Sequence, residues 1–279
     1  MAVQHLARYS PVVTSGGALW LGMATLALNA NGCAAAIDWN DIQAGTAAGY
    51  DQVVLNEQGL RAYFPLTDAP GSTGAKDLKN GGMTSIALKN VSFTGTSAQF
   101  DGKGYIELEN AASFDFLLGQ SDAAMGLGLF SLEAWILPSA GGAAPVNVFG
   151  QGTVDVGYNV TVDTSMGGEV TMGLSLSGAQ NSCGTAPALF TPGQGFYFVG
   201  EFDGQQFDVY VDGVDNNYTG CGNGAAGTAA MPAMPGLYLG SDANGNSNFV
   251  GTISHVAIYD GALLPMQIQA HYAAGGNGP

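Results

Sequence analysis

Twenty consecutive residues, GFYFVGEFDGQQFDVYVDGV from Gly195 to Val214, constrain the fold more than any other stretch of the chain. Phe207, Val209 and Val211 alternate with Asp208, Tyr210 and Asp212, the period-2 pattern of a strand with one packed face and one wet face. Asp203-Gly204 and Asp212-Gly213 punctuate two strands, because tight hairpin turns need the positive φ that glycine reaches freely. Such a hairpin cannot cover its own apolar face. The rest of the chain has to supply a second layer.

The remaining sequence reads as more of the same. From residue 50 onward short alternating segments follow one another: LRAYFPL, IALKNVSF, AQFDGKGYIELE, FSLEAWILP, VNVFGQG, YNVTVDT, GEVTMGLSLSG, GLYLGSD and FVGTISHVAIYD. In FSLEAWILP, Leu132, Ala134 and Ile136 oppose Ser131, Glu133 and Trp135. The 44 glycines, with frequent Ser, Thr and Asn, supply the turns between them. Pro265 in ALLPMQIQAHY can open a short terminal helix with Ile268 and Tyr272 one turn apart. The expectation is an all-β fold, a two-sheet antiparallel sandwich over residues 47–279 with a short C-terminal helix.

Residues 1–46 differ in character. ALWLGMATLAL (Ala18–Leu28) is an apolar run, followed by Cys33 and three alanines. It reads either as a docking arm with Trp20 and Trp39 as apolar anchors, or as a signal or anchor segment removed near residue 36. No stretch reaches the ~18 uninterrupted apolar residues of a membrane-spanning helix.

Charge is sparse and one-sided: six Lys and Arg against 22 Asp and Glu, a formal net charge of −16. A phosphate backbone or an anionic lipid surface is therefore a poor partner. Of the three cysteines, Cys183 and Cys221 fall in Gly-containing stretches flanking the hairpin and are candidate disulfide partners, with two free loop thiols as the alternative.

LRAYFPLTD, AQFDGKGYIEL, FSLEAWILP, FYFVGEFDGQQFDVYVDGV, GLYLGSD and FVGTISHVAIYDGALLPMQIQAHY, in that order, resemble the laminin-G-like, concanavalin A-type jelly roll over residues 50–275. The resemblance implies that fold, and it implies calcium and glycans as ligands. Calcium takes hard oxygen ligands at the rim of similar domains. Asp68, Asp77 and Asp101 are the first candidates; Asp242, Asn244, Asn246 and Asn248 in SDANGNSN are a second group, equally suited to Asx-turns. A sugar site would pair an aromatic face with planar polar groups: Tyr238 beside Asp242, Asn244 and Asn246, or Tyr218 near Cys221. Half-buried tyrosine is the ordinary reading of both.

Some proteins of this fold hydrolyse glycosides with paired carboxylates. Glu201 and Asp203 approach that pattern, but Gln205 stands where a third acid is expected. Glu133 reads as solitary, Tyr105, Glu107 and Glu109 as a solvated strand face without an aromatic platform beside it, and His255 and His271 as surface or boundary residues. No G-x-S-x-G elbow is present. The expectation is a non-catalytic surface module. Its first form is an accessory virion protein of a tailed phage (capsid decoration, fibre or tail component), docked through residues 1–46 or otherwise oligomeric, with its sandwich facing outward to bind glycans. A secreted glycan-binding adhesin and a glycoside hydrolase follow.

Overall fold

The computed structural model describes residues 47–83, 85–108, 129–139, 145–151, 157–165, 167–176, 179–203, 206–221 and 236–277. The segment 1–46, with Trp20 and Trp39, lies outside them. In chain order the elements are α1 (Ala47–Leu55), β1 (Leu60–Phe64), β2 (Lys76–Asp77), β3 (Gly82–Met83), β4 (Ser85–Phe93) and β5 (Ala98–Leu108). Then follow β6 (Phe130–Pro138), β7 (Val146–Gln151), β8 (Gly157–Asp163), β9 (Glu169–Leu176), β10 (Ala179–Gly184) and β11 (Phe196–Phe202). The last are β12 (Phe207–Val211), β13 (Val214–Asp215), β14 (Leu237–Leu239), β15 (Val250–Tyr259) and α2 (Pro265–Tyr272).

Apart from the β2–β3 pair, one antiparallel sheet runs β10-β9-β8-β7-β14-β5-β15-β6-β11-β12-β13 and curls onto itself. The shared strand β5 makes the fold of the sheet: Ala98–Asp101 pair with β15, and Ile106–Leu108 pair with β14. Beyond β5, β15 continues its pairing with β1. The two halves face each other through Phe130 against Tyr158 (ring centroids 4.8 Å apart) and Phe149 against Phe198 (6.5 Å). Leu132, Ala134 and Ile136 are fully buried on the same side, as their alternation requires. The sandwich expected from the sequence is therefore present.

The open edges of the two halves are joined. Gly184 forms an isolated antiparallel bridge with Thr219, and Cys183 is disulfide-bonded to Cys221. Cys183 is not in a loop: it lies on the edge strand β10. The hairpin between β12 and β13 turns through positive φ at Asp212 (53°) and Gly213 (76°), the conformation its Asp-Gly sequence suits.

The alternation read for β12 holds in part: Phe207, Val209 and Val211 are buried, Asp208 and Asp212 stay part-exposed, and Tyr210 between them is buried at 7% exposure. Every residue of β11 is buried, on both sides of the sheet. The helix α1 corrects a second expectation, that the chain is β from residue 50. Tyr50 and Val54, one helical turn apart, are its buried residues, at 1% and 0% exposure. In α2, Ile268 and His271 are buried, and Gln267 Oε1 accepts from the Leu264 amide at 2.6 Å, satisfying a donor at the helix start.

The helices are held by a polar cluster, which corrects the reading of Glu133 as solitary and of His255 and His271 as surface residues. Glu133, His255 and His271 are all buried. Glu133 accepts hydrogen bonds from the hydroxyls of Tyr50, Tyr259 and Tyr197, the last at 2.8 Å, and faces His271 Nδ1 at 3.1 Å. His255 sits at a bulge of β15 with φ 51°, its Nδ1 2.7 Å from the Tyr63 hydroxyl, which also donates to Asp51. Burial by itself would raise the Glu133 pKa, but the His271 charge and the hydroxyl donors outweigh it and hold the group below its ordinary value. An ionised carboxylate without such partners would cost several kcal/mol in this position.

Candidate functional site

On the half formed by β10-β9-β8-β7-β14-β5, Leu237 and Leu239 of β14 point into the core, so Tyr238 between them points outward. Tyr238 is opposite Glu107 of β5 and Gly150 of β7, and its hydroxyl donates to Glu107 Oε1 at 3.2 Å. Tyr105, two residues before Glu107 on the same face, packs edge-on against Tyr238 with ring centroids 5.6 Å apart. Lys89, across β4 from Tyr105, places its ammonium 5.5 Å from the Tyr105 ring centroid. A half-exposed aromatic ring thus stands beside a carboxylate and an exposed ammonium. Burial and then the Glu107 charge push the Tyr238 pKa up to about 12, so the hydroxyl stays a donor.

The segment Asp242–Asn248 flanks this face. Asp242 Oδ1 accepts from the amides of Asn244 (2.9 Å) and Asn246 (2.7 Å), which folds the loop around its side chain. The loop lies directly on β7: a Cβ at Gly150 would come within 2.3 Å of the Ser241 carbonyl oxygen, and the Asn147 amide donates to Ser247 O at 2.8 Å. Gly245 approaches the Tyr105 ring. Asn147 Oδ1 and Asn248 Oδ1, from bridged residues at the root of the loop, are buried acceptors without a donor, the kind of group a water or hydroxyl satisfies. Along β4 and β5 a shallow groove of about 330 Å³ is lined by Asn90, Val91, Ser92, Gln99, Phe100 and Asp101.

A sequence model described as the concanavalin A-like lectin/glucanases superfamily (Laminin_G_3) matches residues 100–269. The chain belongs to this superfamily. No curated protein matches it in sequence. Among solved structures it is similar to Trypanosoma rangeli sialidase in complex with sialic acid, at 14% identity and TM-score 0.59, over 85% of this chain and 38% of that one. It is also similar to the receptor binding domain of botulinum neurotoxin C/D mosaic serotype, at 11% identity and TM-score 0.57, over 77% of this chain and 51% of that one. The chain spans well under half the sialidase's length, and at these identities the likeness shows the fold.

Within this concanavalin A-like frame the residues singled out from the sequence are placed as follows. Tyr238 is buried to 8% exposure and its neighbour Tyr105 presents the more open ring. Asp242 is also buried and organises the loop, leaving Asn244 and Asn246 exposed on it. Tyr218 is 68% exposed, beside Cys221. The platform missing from the reading of Tyr105 and Glu107 is Tyr238 itself, brought alongside by the β14–β5 register. Strand register between segments some 130 residues apart leaves no mark in sequence. Glu109 lies outside the described residues.

Asp68, Asp77 and Asp101 each make local hydrogen bonds. Asp77 is buried and spends its oxygens on the amides of Tyr63 (3.1 Å), Lys79 (2.9 Å) and Asn80 (3.3 Å) and on the Asn80 side chain. Asp101 accepts from the Lys103 amide at 2.9 Å, and Asp68 faces the Lys76 amide at 3.5 Å. The contacts of Asp77 with Lys79 and Asn80 and of Asp101 with Lys103 shape turns, while Asp77 also ties its segment to β1 through Tyr63. Among the described residues no group of three or more His, Cys, Asp and Glu side chains converges to hold a metal ion.

Glu201 and Asp203 part company. Glu201, at 5% exposure, faces Asp208 across the hairpin with Oε2 lacking a partner, while Asp203 caps the turn by accepting from the Gln206 amide at 2.7 Å. Burial, then the charges of Asp208 and Asp203, raise the Glu201 pKa to about 8 against the opposing Leu263 amide.

Proposed function

We propose that this chain is a non-catalytic glycan-recognition module that binds sugar on the Tyr105–Tyr238 face. The observation that carries the reading is the convergence there of a half-exposed aromatic ring, the Glu107 carboxylate and the Lys89 ammonium, flanked by the loop that carries Asn244 and Asn246. A sugar ring offers a C–H face to an aromatic plane and hydroxyls to charged acceptors and donors, so these groups match both halves of its chemistry. Two proteins of similar fold, a sialidase solved with sialic acid and a neurotoxin receptor binding domain, are in keeping with a recognition role. The non-catalytic part rests on Glu201: a carboxyl group buried this far, with its nearest acidic neighbour engaged by Asn217 and Gln206, does not flank a bond of a solvent-borne polymer.

The disulfide suits an oxidising, extracellular setting. Among the described residues no helix is long and apolar enough to cross a membrane. Docking to a virion through residues 1–46 has no support in the described sandwich and forms no part of this proposal.

A glycan array probed with oxidised wild-type protein and with Tyr105→Ala tests the reading. Retention of a defined set of glycans by wild type and its loss in the variant is expected. A wild type that retains none, or a variant with the same profile and the same circular dichroism, overturns it.

A further inference from the structure

His271 is fully buried between two carboxylates from distant parts of the chain. Its Nδ1 is 3.1 Å from Glu133 Oε2 and its Nε2 is 3.3 Å from Glu57 Oε2. An ionised carboxylate accepts and does not donate, so both contacts are hydrogen bonds when both ring nitrogens carry hydrogen, which is the imidazolium. The two carboxylates are unequal. Glu133 is wholly enclosed and has three tyrosine hydroxyls, whereas Glu57, with its side chain 15% exposed, also accepts from the Gln58 amide and Gln267 Nε2 and can reach water.

The geometry points to a pH-operated clasp: protonated His271 ties the end of α1, through Glu57, to α2 and the sheet, and loss of that proton breaks the His271–Glu57 link while His271 stays on Glu133, leaving Glu57 held to α2 by Gln267. A neutral imidazole has one N–H, and the enclosed Glu133 loses more than Glu57 if left short of a donor. Burial pushes the His271 pKa down, but Glu133 and Glu57 outweigh it and raise it above the ordinary value. With the folded pKa raised, the clasp is closed below that value and opens as pH rises through it.

The other ionisable groups around it are Tyr50 and Asp51 of α1, Tyr63 of β1, Tyr197 of β11, and His255 and Tyr259 of β15. Burial first, and then neighbouring carboxylates, push all four tyrosines well above their ordinary value, so they remain neutral donors throughout. The helix α1 is the first described element of the chain.

Hydrogen exchange read by mass spectrometry on the full chain, at about pH 6 and about pH 9.5 and expressed as protection factors, tests the clasp. Peptides covering Tyr50–Glu57 are expected to lose protection at least about tenfold at the higher pH while β6 and β11 keep theirs. In Glu57→Gln that step should vanish, because a neutral amide pairs with either state of the imidazole. Wild-type protection of α1 that is the same at both pH values, or a step that survives in Glu57→Gln, overturns the proposal.

Discussion

Glu133 and Glu201 project from neighbouring strands onto the same outer sheet face, yet the fold holds one charged and drives the other toward neutrality. Glu133 has three hydroxyl donors and an imidazolium; Glu201 has Asp208 opposite it and an oxygen without a partner. Because the folded pKa of Glu201, about 8, lies above its ordinary value of 4.5, the native state binds the proton more tightly than the unfolded chain. Stability is therefore lost as pH rises from the lower value to the higher. Replacing Glu201 with Gln removes that penalty, and thermal melts should show the variant more stable by roughly 2 kcal/mol or more near pH 8 and equal to wild type near pH 4. Equal melting at pH 8 would contradict the assignment. Sequence alternation placed Glu133 on the face opposite Leu132, Ala134 and Ile136. It did not reveal the partners of the two glutamates, which for Glu133 come from α1, β11, β15 and α2, between 64 and 138 residues away.

Strands were legible wherever apolar and polar residues alternate, as in FSLEAWILP and FDVYV, and where an Asp-Gly pair marks the turn. Two elements were not. Among its described side chains the helix α1 buries Tyr50 and Val54, too few to set a helical period against the β pattern that follows. The strand β10 has the sequence AQNSCG, the composition of a loop; what makes it a strand is the full-length register it shares with β9. The disulfide was legible from two cysteines flanking one hairpin, though its job was not. It fastens the edge of one half-sheet to the chain leaving the other, over a separation of 38 residues. In the chain-entropy picture such a link contributes about 4 kcal/mol. Oxidised wild type should therefore resist urea to a clearly higher midpoint than the Cys183→Ser, Cys221→Ser protein; coincident transitions would show that the backbone bridge between Gly184 and Thr219 closes the edges unaided.

At the scale of the molecule, the family, the sandwich and the closing helix could be read from the order of six segments, because each depends on local alternation and turn chemistry. The proposed recognition face could be read only in part: Tyr238 and the loop from Asp242 stood out, whereas Tyr105, Glu107 and Lys89 joined them through strand register. The net charge of −16 turns polyanions away, and the paired tyrosines with Glu107 and Lys89 suit a ligand rich in hydroxyls. Isothermal titration of the glycan best retained on the array, against wild type, Tyr105→Ala and Glu201→Gln, tests the glycan-binding claim most directly. Affinity should fall at least about tenfold in Tyr105→Ala, the equivalent of about 1.4 kcal/mol, and stay unchanged in Glu201→Gln, with the glycan recovered intact. Undiminished binding by Tyr105→Ala, or cleavage of the glycan by wild type that Glu201→Gln abolishes, would contradict it.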